Sequence, residues 1–170
     1  MVHSVLIVGH ALCGVVALLV GCFILKPPVS STSLLFRIYA AGLVGLIVLM
    51  LAVVAYDWTA LHLAQQITFA GLCALGIYTG RRALQAHREL ASRQPGWQAR
   101  YVDHVGFTLI SLFDGFTIVA AVDRDAPLPV VLLVGALGVV AGIAAMNVAK
   151  SRLRVVATHG ARVRDRPRWR

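Results

Sequence analysis

Apolar positions along this chain fall into long blocks, and polar positions collect between them. Five apolar stretches stand out, at residues 5–25, 34–56, 59–79, 104–122 and 128–149. Each approaches the ~20 residues that a helix rising 1.5 Å per residue needs to cross a hydrocarbon core of about 30 Å. The strand-type alternation of a membrane barrel is missing. The pattern predicts an all-α polytopic membrane protein. Five transmembrane helices form a bundle over residues 1–149, and residues 150–170 form a basic tail.

Breakers punctuate the blocks. Lys26-Pro27-Pro28 ends the first span, because proline cannot continue a helix. Ser31 and Ser33 are placed to cap the second. The third helix is expected to run beyond the membrane from Arg81 to Arg93, with Glu89 four residues before Arg93, and to break at Pro95-Gly96. Tyr56, Trp58, Trp97 and Tyr101 stand where aromatic belts are expected. His3, Ile7, His10, Gly14, Ala17 and Gly21 share one face of the first span, and its small residues point that face inward. Gly71, Gly76 and Gly80 read as close-packing sites on the third span. The second span has no ionisable residue between Arg37 and Asp57 and reads as a lipid-facing wall. Leu19-Val20-Gly21-Cys22 has the form of a lipoprotein cleavage box, but Phe23-Ile24-Leu25 continues the apolar run. No basic residue precedes the first span, so no cleaved leader is expected.

Composition supports the membrane assignment: 59% of residues are hydrophobic, too many for a soluble domain that needs polar cover. The formal charge of +9 raises the question of nucleic acid. Its distribution answers it. With five alternating spans, every Lys and Arg except Arg124 falls on one side, which is the positive-inside pattern. The expected topology is N-terminus outside and C-terminus cytoplasmic, with Asp57, Asp123 and Asp125 outside. The partners implied are the bilayer itself and anionic lipid at the basic tail, with no role for nucleic acid. A membrane-protein partner or a second copy is compatible with this surface. Cys13, Cys22 and Cys73 all lie within spans and read as packing residues rather than a disulfide framework.

Asp114, near the middle of the fourth span, is the residue that calls for chemistry. A carboxylate at mid-membrane costs roughly 2.5–3.5 kcal/mol. Thr108, Ser111, Asp114 and Thr117 follow at three-residue steps as a polar stripe. By helix rise, His10 lies about 8 Å, His62 about 5 Å and Asp114 about 12 Å inside the outer boundary. These depths predict a polar pocket in the outer half of the bundle, made by His10, His62, Gln66, Ser111, Asp114 and Thr117. One use is interhelical hydrogen bonding alone. A second is haem b held by His10 and His62. A third is a metal-dependent membrane enzyme using His10, His62 and Asp114, with Asp114 as the candidate catalytic group; no dense motif such as H-E-x-x-H assigns a metal site. A fourth is a proton-coupled transport path through Asp114 and a histidine. Asp103-His104 reads as a solvated helix start.

His10-x-x-x-Gly14-x-x-Ala17-Leu18-x-x-Gly21, a basic turn, and Phe36-Arg37 before a glycine-bearing second span resemble small uncharacterised bacterial polytopic proteins. Those proteins open with His-x-x-x-Gly-x-x-Ala-Leu and carry His-Arg before the second span. Their bundles have been compared with the four-helix folds of membrane-bound b-type cytochromes. Phe36 stands here where the second histidine would be, which weakens the carry-over of a haem role. The expectation is an accessory or non-catalytic integral protein of a bacterial cytoplasmic membrane, with enzyme activity left open.

Overall fold

The structure, a computed structural model, describes residues 2–25, 33–122, 124 and 126–164. It is all-helical over them: α1 (Val2–Ile24), α2 (Ser33–Asp57), α3 (Leu63–Ser92), α4 (Trp97–Val122) and α5 (Leu128–Arg164). Four segments are long and apolar enough to cross a membrane: His3–Ile24, Leu34–Asp57, Trp97–Val122 and Pro129–Val148. The remaining helix, α3, has 30 residues but opens with Gln65 and Gln66 and carries Arg81, Arg82 and Arg88 in its second half. Ser31, Asp123 and Asp125 lie outside the described residues.

Helix ends follow local chemistry. The third helix starts at Leu63, not at 59. The chain turns first, with Ala60 N–H donating to Asp57 O at 2.8 Å. His62 is extended (φ −70°, ψ 156°) and forms the N-cap. Its N–H donates to Gln65 Oε1 at 3.1 Å, and Gln66 Nε2 donates to Trp58 O at 2.9 Å. Both glutamines therefore serve the helix start. At the other end Arg93 is left-handed (φ 45°), its N–H reaching Glu89 O at 3.1 Å. Gly96 (φ 77°) supplies the turn that β-carbon-bearing residues resist. α5 runs on past its apolar stretch, Pro129–Val148, to Arg164. Lys150, Arg152, Leu153, Arg154 and Ala157 sustain helix, and no proline interrupts before Pro167.

The first four helices form an up-down-up-down bundle. α1 runs antiparallel on α2, with Gly9 facing Leu49, Cys13 lying between Gly42 and Gly45, and Gly21 facing Tyr39. α2 runs antiparallel on α3, with Gly76 against Met50 and His87 5.4 Å from the Phe36 ring. α3 runs antiparallel on α4, where Tyr78 meets Phe107 edge-on at 5.3 Å. α4 closes back on α1, Phe116 and Leu109 filling the space beside Gly14 and Gly21. The small residues that carry the resemblance of the first span thus face α2 and α4. Among the described residues, α5 packs on α4 alone.

The core contradicts the lipid-wall reading of the second span. Phe36, Tyr39, Leu43 and Leu46 of α2 are buried beside Ala17, Tyr101 and Val105. A helix that is apolar all round carries no stripe to mark its inner face, so its pattern could not show this. Gly76 and Gly80 are packing sites as expected, with Met50 and Ile47 against them, but Gly71 faces open space.

Candidate functional site

One end of the bundle is hollow. A cavity of about 410 Å³ opens there between the start of α1, the end of α2, the start of α3 and the end of α4. A second chamber of about 270 Å³ lies further in and shares Ile7, His10, Met50, Leu72 and Val119 with the first. The walls are mostly aliphatic, with Phe69 and Phe116 adding rings. Volumes of this order are typical of sites for small organic ligands.

Polar groups occur at three levels. At the mouth, His3 Nδ1 and Asp57 Oδ2 are 2.9 Å apart, tying the start of α1 to the end of α2, and Gln65 stands beside them. His10, two turns below His3 on the same face of α1, lines both chambers. Its Nδ1 lies 3.1 Å from the Leu46 carbonyl oxygen of α2. A carbonyl only accepts, so Nδ1 carries the proton and donates. At the inner end, Ser111 and Thr79 line the second chamber, the Thr79 hydroxyl donating to Gly76 O at 2.7 Å.

The fold parts the six residues expected to share one pocket. His10 and Ser111 line the cavity. His62 is exposed and lines neither chamber, since it caps α3 from outside. Gln66 is held by Trp58 O, and its neighbour Gln65 takes the cavity position. Asp114 is only 5% exposed and turns away from the cavity toward Gly138 of α5. Its Oδ1 has no hydrogen-bond partner, and Thr117 donates to its backbone carbonyl at 2.9 Å. The reason lies in helix geometry. At 3.6 residues per turn, each three-residue step lags a full turn by about 60°. The stripe therefore winds from Thr108, beside Tyr39 of α2, through Ser111 at the cavity, to Asp114 at α5. His10, His62 and Asp114 do not converge, and the described residues hold no group of three His, Cys, Asp or Glu placed for a metal ion.

Sequence reasoning passed over His3, Asp57 and Gln65. His3 was legible as the residue seven before His10 on one helical face. Asp57 carried no such signal, since an acid at the end of a span reads as solvated.

The opposite end is held by ions. Asp103 pairs with Lys150 across α4 and α5, and Arg82 Nη2 donates to Asp103 O at 3.2 Å. The Arg82 guanidinium sits 5.1 Å from the Phe107 ring centroid. Arg100 Nη2 is 2.8 Å from Glu89 Oε2, and that hydrogen bond holds the half-buried Glu89 carboxyl below its usual range. Asp103 and His104 lie in the second turn of α4 rather than at a helix start, and His104 Nδ1 is buried without a partner. Cys13, Cys22 and Cys73 are free thiols.

Comparison with protein-family profiles, with curated proteins and with solved structures finds no match to this chain.

Proposed function

We propose that this chain is a five-span protein of a bacterial cytoplasmic membrane that holds a small, largely apolar molecule in the cavity between its first four helices, as an accessory protein without chemistry of its own. The observation that carries the reading is the pair of adjoining chambers, apolar in their walls and polar at the mouth. The polar groups around them are engaged with one another or with backbone: His3 with Asp57, His10 with Leu46 and Thr79 with Gly76. Groups so engaged suit holding and orienting a molecule.

Five crossings are supported by the position of α3. It runs antiparallel to α2 and α4 from Gly76 beside Met50 to Glu89 beside Arg100, so it shares their depth. The polar start of α3 then lies at the outer boundary and its arginines at the inner one. The positive-inside rule puts the cavity mouth and the N-terminus outside, and the ion-paired end and the C-terminus in the cytoplasm. The basic residues from Lys150 onward would meet anionic lipid there.

Native mass spectrometry tests the reading. Protein purified in mild detergent is expected to retain a small-molecule adduct, and Leu72→Trp, which narrows the space both chambers share, is expected to lose it while keeping its helical circular dichroism. Equal adducts on the two folded proteins would overturn the proposal.

A further inference from the structure

Resting on that cavity reading, we infer that the molecule held there carries a hydroxyl, which donates its hydrogen bond to Nε2 of His10. The argument begins with the tautomer. His10 Nδ1 is committed as a donor to the Leu46 carbonyl. In the uncharged ring Nε2 is then an acceptor, with a lone pair and no proton.

An imidazolium among aliphatic walls needs a carboxylate beside it. Two carboxylates are described in this half of the bundle. Asp57 is paired with His3, and Asp114 faces α5. His10 lines the space that the two chambers share, together with Ile7, Met50, Leu72 and Val119.

An acceptor in an apolar chamber selects for a donor. A hydrocarbon leaves Nε2 without a partner, and an ether or ester oxygen, itself an acceptor, sets two lone pairs against each other. A carboxylate adds a buried charge with no cation to meet it. An alcohol or phenol on an apolar body satisfies Nε2 and fills the walls. His10 lines both chambers, so that body can extend toward the mouth or toward Ser111. The ligand class is a neutral, hydroxyl-bearing apolar molecule, of the kind that partitions into the outer leaflet.

Three probes with one ring system test this: 1-naphthol, 1-methoxynaphthalene and 1-naphthoate, titrated against the purified protein with ligand fluorescence as readout. The wild type is expected to bind the naphthol about three- to tenfold more tightly than the methyl ether, the range of one neutral hydrogen bond. The naphthoate is expected to bind most weakly. His10→Phe is expected to bind naphthol and ether equally, and Ser111→Ala is expected to keep the preference. Equal wild-type binding of naphthol and ether would overturn the hydroxyl assignment and leave the cavity reading standing, as would tighter binding of the naphthoate. No binding of any probe, with no adduct on the purified protein, would overturn both. The wild-type comparison decides the matter even if His10→Phe, which also removes the bond to Leu46, fails to fold.

Discussion

The carboxylate of Asp114 on α4 occupies the space that a side chain at Gly138 on α5 would need. This is the polar rung of a ladder between the two helices. Ile118 lies beside Gly135, Asp114 beside Gly138, Ile110 beside Gly142, and Met146 beside Gly106. Each rung sets a large side chain against a glycine, which is how helices without a water-driven hydrophobic force gain contact in lipid. Asp114 is therefore a packing residue of the α4–α5 seam before it is anything else.

A methyl group at Gly138 should then lower stability by about 1–3 kcal/mol, the usual range for overpacking. Gly71→Ala offers the control, because nothing lies within 4 Å of that position. There the alanine should raise stability by up to about 1 kcal/mol, as Gly→Ala does within helices. Asp114→Ala combined with Gly138→Ala should recover part of the loss, with a coupling above about 0.5 kcal/mol. Thermal melts in one detergent of the wild type, the two glycine variants, Asp114→Ala and the double variant measure all of these. If Gly138→Ala proves as harmless as Gly71→Ala, the seam is not packed as described.

Asp114→Asn should fold, and should melt at the same temperature as the wild type or higher. Oδ1 makes no hydrogen bond that the amide would lose. The substitution also removes an ionisable group whose burial at this depth is costly. A clear fall in melting temperature would mean that the carboxylate has a partner.

Topology separates five crossings from four. Reporter fusions after residue 60 and after residue 94 bracket α3. They should land on opposite sides, the first outside and the second in the cytoplasm together with the C-terminus. If both land on one side, α3 does not cross, and the cavity mouth cannot be placed outside by charge.

The Glu89–Arg100 pair should leave a pH signature of known sign. Arg100 holds the folded Glu89 carboxyl below its ordinary value. The carboxylate therefore favours the folded state above the ordinary glutamate range, and that contribution is lost as pH falls through the lowered folded value. Glu89→Gln lacks it at every pH. Melting temperatures of wild type and variant should differ near neutrality and converge on acidification. The difference will be small because the pair is open to solvent on the Arg100 side, and it should shrink in high salt. A gap that widens with acid would reverse the assignment.

Some of the site was open to reading and some was not. His10 was legible as a histidine on the small-residue face of α1, and that face is indeed packed on α2 and α4. Asp114 was legible as costly, but its direction was not, because three-residue spacing reads as one face only over a step or two. His62 was misplaced by the few residues between the expected and actual start of α3, enough to turn an inward ligand into an exposed cap.

The amino-acid sequence by itself determined that the described residues form five helices, where Pro95-Gly96 parts two of them, and how the charge is distributed. Those features depend on apolar length, on proline and glycine, and on the sign of side chains, all of which act locally. Only the tertiary structure decided that one face of α2 is core, that Asp114 faces α5, and that His3, His10, Asp57 and Gln65 meet at one cavity. In a soluble helix the polar face reports which way the other face points. Here lipid and core accept the same aliphatic residues, so the pattern names the helix and leaves its rotation to packing.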